Sequence, residues 1–571
     1  MNTRSQEILD LRSSSKLTKV QSRLLDQIAV EIRPAYTEFV SEFFKDPDNS
    51  IQWHLTPLMC RNTHDCKIFN SLCQIELVKR YCSSGQSGTV IVDSPYFYQT
   101  IKKICHPKIK LVNTKSRFSR VLSIIAKNTK LLMFMAFNFS MRFIFSRIIR
   151  IQPLSSELSK ITLVDTVFYK TSFKNKKFYD RHFPGIFEGL SGDESESIFF
   201  IGYYYKIYNF FDFFKKLKSS TSNVLAIEEY LKFSDYFYAM FSFVFLFKKF
   251  KSVLFDGFDI TDLFLDCYYE NVVNIGSSEG LLRQRFMSRL KERGVKLHSV
   301  LMWFENQPIN RGSQIGLNQF YPDTPTNGYI GFYNSTNVVG VYPSSEELHA
   351  RFLPHIISVI GKNIAPEMKA FCPGLNVMAS PALRFQELLN VEEEGLESPN
   401  FVILVALPIF EHESLAILEL LSAALQRFDN VAVKVKAHPG SSGQATENVI
   451  SEFGFEGCVT EVRMYDAILA SDIVITSASS SAVEAVLMGR PTLIVSDCRG
   501  PTKNPIPHGI PKDLYAVCYD LMDVEFNIRV LMNSSEDTIA LRKKAASKCL
   551  EHYVDSYTPE KSRMLLGIVG S

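Results

Sequence analysis

Tryptophan is almost absent, with two residues in 571, and the charges nearly cancel: 63 Lys and Arg against 60 Asp and Glu give a formal net charge of +3. A chain so close to neutral has no global electrostatic pull toward nucleic acid, and no nucleic-acid partner is expected. The eleven cysteines include no CxxC pair, and the spacing of Cys60, Cys66, Cys73, Cys82, Cys105 and the six that follow is irregular. This argues against a zinc site and for reduced thiols. There is no P-loop and no GxGxxG, which weighs against an NTPase or a dehydrogenase. Asp46-Pro47-Asp48 is the one Asp-x-Asp. It lies in a polar stretch with no strand before it, so it reads as a turn, and no metal or other cofactor is expected. No run of 18 uncharged apolar residues occurs, so no transmembrane helix is expected. The first residues lack an apolar core, so a signal peptide is not expected and a cytoplasmic location is.

Apolar residues make up 46% of the chain and charged residues 22%, with 45 Phe and 24 Tyr. That is the composition of a folded protein, long enough for roughly two to four domains. The first 80 residues read as mostly helical. A Ser/Gly turn cluster then leads into 89–93, an apolar run ending in Asp93, as in a buried parallel strand. Residues 101–150 hold twelve Lys or Arg and no Asp or Glu. They read as a helix that is apolar and basic at once: either a core helix with a solvated basic face, or one that rests on an anionic membrane or acceptor. Strands are expected at 198–203 and 252–256, and helical pattern at 224–233 and 277–293 with Gly294 as its C′ residue. Strands at 296–304 and 328–333 follow.

A domain boundary is expected between Pro381 and Asn400, marked by Glu392-Glu393-Glu394-Gly395 and Ser398-Pro399. It divides the chain into 1–390 and 391–571. After it the pattern alternates cleanly: strand 401–407, helix 414–428, strand 431–437, helix 464–470, strand 473–476, helix 480–488, strand 492–495. This is the rhythm of a doubly wound parallel sheet.

Two stretches of that half carry chemistry. Lys434-Val435-Lys436-Ala437-His438-Pro439-Gly440 ends a strand on His-Pro-Gly, at the sheet edge where ligands bind in open α/β folds. His438 either meets a phosphate or ribose there or only caps the strand. Asp472-Ile473-Val474-Ile475-Thr476-Ser477-Ala478-Ser479-Ser480-Ser481-Ala482-Val483-Glu484 ends a strand in a serine-rich loop that opens a helix. Its free N–H groups and hydroxyls suit a phosphate, and Glu484, one turn in, suits ribose hydroxyls. The bland alternative is ordinary capping by Ser479 or Ser480 with a solvated Glu484. In the amino-terminal half, Glu305 follows an apolar strand and precedes Asn306-Gln307-Pro308. It is the preferred general base, with Asn306 and Gln307 as ligand contacts. Asp256 is its rival, and Asp93 a weaker third.

Together the His-Pro and serine stretches resemble motifs of bacterial sialyltransferases, Kdo transferases and capsule polysaccharide transferases. Trp303-Phe304-Glu305-Asn306-Gln307-Pro308, Gly328-Tyr329-Ile330-Gly331-Phe332-Tyr333 and Ser380-Pro381-Ala382-Leu383-Arg384-Phe385 look like a family of surface-carbohydrate biosynthesis proteins. Related proteins often carry a His after the second of these stretches; Tyr333-Asn334 stands there in this chain. The resemblance implies a GT-B α/β fold, two Rossmann-like domains facing a cleft with helical insertions in the first. It implies an inverting, metal-independent glycosyltransferase that moves an acidic keto-sugar (a nonulosonic acid or Kdo) from its CMP ester to a glycan or lipid-linked oligosaccharide acceptor. Lys436, His438 and Pro439 would then hold the nucleotide, and Ser479, Ser480 and Ser481 its phosphate. The alternatives are a CDP-glycerol-type polyol-phosphate transferase and a non-catalytic glycan-assembly protein. Contact with the inner face of the cytoplasmic membrane would run through 101–150.

Overall fold

Short runs rich in Val, Ile and Leu, too brief for helices and mostly buried, form the strands of this protein's two large sheets. The computed structural model describes residues 7–45, 50–83, 87–151, 154, 160–247, 250, 252–390, 400–441 and 443–568. Asp46-Pro47-Asp48 and the expected linker 391–399 lie outside the described residues.

The strands are β1 Glu7–Asp10, β2 Gly88–Val92, β3 Ile109–Asn113, β4 Ile161–Phe168, β5 Ile198–Tyr204, β6 Leu297–Trp303, β7 Thr326–Ile330, β8 Ile356–Val359 and β9 Val377–Ala379 in the amino-terminal part. In the carboxy-terminal part they are β10 Phe401–Ala406, β11 Val431–Lys436, β12 Ile473–Thr476, β13 Thr492–Val495 and β14 Tyr515–Cys518. Three all-parallel sheets result, in the orders β1-β2-β3, β9-β8-β7-β6-β4-β5 and β11-β10-β12-β13-β14. Each large sheet starts on an inner strand, winds one strand to one side, then crosses back and continues on the other. The strand order therefore reverses between β4 and β6 in the first sheet and between β10 and β12 in the second. Ligands in open α/β sheets bind in the crevice outside the carboxyl ends of the strands at such a reversal. The chain thus has the expected two Rossmann-like sheets.

One apolar core crosses from sheet to sheet: Leu301 and Tyr329 of the first and Leu404 and Ile494 of the second belong to the same buried cluster. The boundary at 390 is not kept by the end of the chain. The closing helix Pro559–Leu566 returns to the first sheet, where the Ser299 hydroxyl donates to the Leu566 carbonyl at 2.5 Å and Asn327 Nδ2 to the Leu565 carbonyl at 3.0 Å. Leu565 and Leu566 are fully buried there.

Several local expectations need correction. Residues 224–233 are not a helix: Val224 bridges to Phe200, and only Ile227–Glu229 makes a 3-10 turn. That turn sends Glu228 inward, where it takes the Tyr204 hydroxyl at 2.6 Å and the Arg142 guanidinium at 2.9 Å. The stretch at 252–256 is half of a tiny hairpin, Leu254–Phe255 with Phe258–Asp259, turning on Asp256-Gly257. The basic segment folds as one helix, Arg117–Ile149. By length and composition alone this helix could cross a membrane, against the expectation of no such segment, and 22% of its most apolar stretch is buried.

Candidate active site

At the first reversal, β4 runs out into Tyr169 and β6 into Trp303, Phe304 and Glu305. Asn306 then bends the chain with φ +53, a conformation an L-residue rarely adopts and Asn tolerates best among non-glycines. The bend is held from below: Asn306 Nδ2 donates to the Gly340 carbonyl at 2.9 Å and to Glu347 at 3.2 Å. Glu347 is itself fully buried and paired with Arg61 (2.6 Å) and Arg311. This turn leaves Glu305 half-buried at the sheet edge, with Oε1 accepting from the Trp303 indole N–H at 2.7 Å. Burial raises the Glu305 pKa above the ordinary value, and the Trp303 bond and Arg384 oppose that rise.

Next to it lies His182, which sequence reasoning missed. Its ring sits 4.0 Å from that of Trp303, Nε2 is 3.2 Å from the Tyr169 hydroxyl, and Nδ1 is buried without a partner. Burial, then Arg384 and Arg181, push this imidazole down to about 3, so it is neutral at pH 7. Its position comes from Asp180, whose Oδ1 accepts the backbone N–H groups of His182 and Phe183 at 2.7 and 2.9 Å. The Asp180-Arg181-His182 stretch follows a two-residue hairpin and matches no motif; only the tertiary fold brings it to Glu305.

Arg384 is the second residue whose role was not foreseen. It is exposed, stacks over Trp303 at 5.8 Å and Phe385 at 5.6 Å, and makes no ion pair among the described residues. Its charge reaches Glu305 and His182 from one sheet and His438 and Glu484 from the other. The cation therefore marks the middle of the cleft.

On the second sheet, His438 follows β11. The Gly440 N–H donates to its Nδ1 at 2.9 Å, which leaves the ring proton on Nε2 as a donor. Burial, helped by Arg384 and Lys206, pushes this imidazole down to about 4. Lys206, just past β5, reaches across and donates to the Gly440 carbonyl at 2.5 Å, so the His-Pro-Gly turn is tied to the first domain. Pro439 is exposed, and Lys436 is half-buried at the strand's end.

The serine loop lies at the second reversal. Ser479 and Ser481 hydroxyls are 2.7 Å apart, and the Ser480 hydroxyl donates to the Tyr333 carbonyl of the first domain at 3.4 Å. The Ala478 N–H is taken by the Glu413 carboxylate, which Lys503 also approaches at 3.4 Å. Glu484 in the helix Ser481–Leu487 is half-buried. Burial raises its pKa, against the pull of Arg384.

The structure thus brings Glu305, His438, the serine loop and Glu484 around one cleft. It does not bring the other named residues there. Asp256 is exposed at a hairpin tip with φ +48, and Asp93 is bonded to Ser13 (2.7 Å) and Lys115 (3.2 Å) beside the small sheet. Asn306 is fully buried under the cleft floor, so its side chain supports the turn and cannot be a ligand contact. Gln307 accepts from Asn62 at 2.8 Å. Among the described residues no group of three or more His, Cys, Asp or Glu could hold a metal ion.

No protein-family model matches this chain, and no curated protein matches it. Solved structures do. MnaA of S. aureus with UDP is 10% identical, with a TM-score of 0.42, over 72% of this chain and 98% of that one. The UDP-GlcNAc 2-epimerase of Neisseria meningitidis bound to UDP-GlcNAc is 12% identical, TM-score 0.39, over 71% and 98%. Acinetobacter baumannii MurG is 12% identical, TM-score 0.37, over 71% and 98%.

Proposed function

We propose that this protein is a glycosyltransferase that holds a nucleotide sugar against the carboxy-terminal sheet and passes the sugar to an acceptor lying at Glu305. The observation that carries the reading is Arg384, a cation with no carboxylate partner among the described residues. Its charge acts on Glu305 of the first sheet and on Glu484 of the second. Such a cation suits an anionic donor.

In this reading the phosphate of the donor meets the Nε2–H of His438, Lys436 and the hydroxyls of Ser479 and Ser481. Glu484 accepts from the ribose hydroxyls. Glu305 takes the proton of the acceptor hydroxyl as its oxygen bonds to the anomeric carbon. The bond from that carbon to the phosphate oxygen breaks, and the nucleotide leaves with the electron pair. A base whose pKa is raised toward neutrality is better matched to this task than an ordinary carboxylate. Positive charge at the leaving phosphate comes from Arg384, Lys436 and fixed donors. His182, neutral and 4.0 Å from Trp303, orients the indole that in turn holds Glu305.

The donor proposed is the CMP ester of an acidic keto-sugar. Its sugar carboxylate and its phosphate both ask for cations, and Arg384 and Lys436 are two. Titration calorimetry with CMP, CDP, UDP, GDP and ADP tests this. CMP is expected to bind, and His438→Ala to abolish the heat. Tighter UDP binding would overturn the CMP donor and keep the glycosyl reading; binding of no nucleotide would overturn both. Glu305→Gln should bind nucleotide as the parent does and transfer no sugar.

A further inference from the structure

The long basic helix Arg117–Ile149 is about 50 Å from end to end. Only one of its faces is used by the fold. Met135, Phe139, Arg142 and Ser146 point inward and are buried. Away from them Phe118, Leu122, Ile125, Met133, Phe137 and Ile144 follow one another at one- or two-turn spacing, each exposed by 47 to 74%. An amphipathic helix of a globular protein turns its apolar side in; this one is apolar on both sides.

This row continues onto neighbouring segments. Phe143 packs edge-on against Phe233 at 5.7 Å, Phe237 against Phe241 at 4.5 Å, and Phe243 against Phe247 at 6.4 Å. Phe233, Phe237, Phe245 and Phe247 are themselves 55 to 63% exposed. A shallow apolar groove between the long helix and Phe233–Met240 is lined by Ala136, Phe139, Phe143, Phe237 and Met240. Clustered exposed aromatic side chains of this kind mark interaction surfaces in soluble proteins.

The charges of the helix and of the segment leading into it select the cover. Of the twelve basic residues in 101–150, seven are paired with carboxylates: Lys103, Lys115, Arg117, Arg120, Lys127, Arg142 and Arg147. Lys102, Lys108, Lys110, Lys130 and Arg150 are exposed and have no carboxylate partner among the described residues. A second copy of the chain would bring like charges together at such a face. An anionic lipid surface would neutralise them while its acyl region takes the aromatic side chains.

We infer that this face docks on an anionic bilayer, with the long helix lying in the headgroup plane. The helix cannot stand across the membrane without losing its inner pairs. Arg142 is fully buried between Glu228 and Glu279, and Arg120 meets Asp266 at 2.8 Å and Glu270 at 2.8 Å. Drawing these charges into hydrocarbon is costly. The inference is independent of which donor the cleft binds, and it would carry the cleft to acceptors anchored in the membrane.

The test is co-sedimentation of the full chain with phosphatidylcholine vesicles, with and without phosphatidylglycerol, at low and high salt. The chain is expected to pellet with the anionic vesicles and to release as salt rises. Phe137→Ser with Phe245→Ser should weaken binding roughly tenfold or more while thermal melting stays unchanged, since both residues are exposed. Phe137→Trp supplies a gain of signal, its fluorescence shifting to the blue when anionic vesicles are added. The inference falls if the chain stays in the supernatant, or if the folded double variant binds as the parent does. It falls equally if the chain self-associates without vesicles, the double variant is monomeric, and neither pellets.

Discussion

Replacing Arg384 by Met separates its charge from its bulk. Methionine keeps the apolar contact with Trp303 and Phe385, which the guanidinium covers at 5.8 and 5.6 Å. A cation stacked on an aromatic ring at an exposed site contributes about 0.5–1 kcal/mol. No ion pair is lost, so unfolding free energy should fall by no more than about 1 kcal/mol. Ligand binding should fall further. A hydrogen bond to a charged group contributes about 1.5–3 kcal/mol, which is a roughly ten- to 150-fold loss of affinity for the nucleotide sugar. A second consequence follows from sign. Arg384 holds down the pKa of Glu305, so in Arg384→Met that carboxyl rises. The base must be ionised to work, so the acid limb of the kcat/KM profile should move to higher pH. Calorimetry and a pH–rate series read the two effects. A folded Arg384→Met protein with parental affinity and an unmoved acid limb would refute the placing of Arg384 at the centre of the cleft.

Three further substitutions probe the scaffold under the site. Glu347→Gln leaves Arg61 and Arg311 buried without a counter-charge, which should cost about 3–5 kcal/mol in urea unfolding; a change below about 1 kcal/mol would show the triad to be wet. Gly312→Ala puts a methyl group into the carbonyl of Gly280, where the helices Ile275–Glu292 and Pro308–Phe320 touch, and should lower stability by roughly 3 kcal/mol or more. A parental melting temperature would mean that the helix pair can part freely. Asp180 has its carboxyl pushed up by burial to about 6, from 3.8 when unfolded. Its contribution is full below pH 4 and is lost as pH rises through 6, about 3 kcal/mol in all. Asp180→Asn keeps the acceptor for the His182 and Phe183 N–H groups and removes that loss. Its stability relative to the parent should climb between pH 4 and 6, and parallel curves would refute the shift.

Four of the five strands of the carboxy-terminal sheet were readable in advance because each is a short, mostly apolar run between helical periods, whereas β14 was not foreseen. β12 and β13 fall on the very residues expected, 473–476 and 492–495. β4 was not foreseen. Its sequence carries Asp165, which reads as a surface residue until Arg283 is found beside it at 3.0 Å and the Ser313 hydroxyl at 3.0 Å. The supposed helix at 224–233 failed for a similar reason. Helical period ranked its residues by polarity, whereas the fold buries Glu228 to answer Arg142. In the cleft, His438, the serine loop and Glu305 announce themselves because each ends an apolar strand. His182 and Arg384 do not, since both come from irregular segments whose place depends on long-range packing.

The return of Pro559–Leu566 to the first sheet has a bearing on how the chain is made. Leu565 and Leu566 are buried against β6 and β7, and the Ser562 hydroxyl donates to the Ile186 carbonyl at 2.8 Å. During synthesis the first sheet therefore waits, with that flank open to water, until the helix Pro559–Leu566 has been made. The amino-terminal half is not a self-sufficient folding unit. A protein cut before residue 559 should expose the apolar surface around Leu301 and Tyr329 and aggregate, even though every strand of both sheets is present in it.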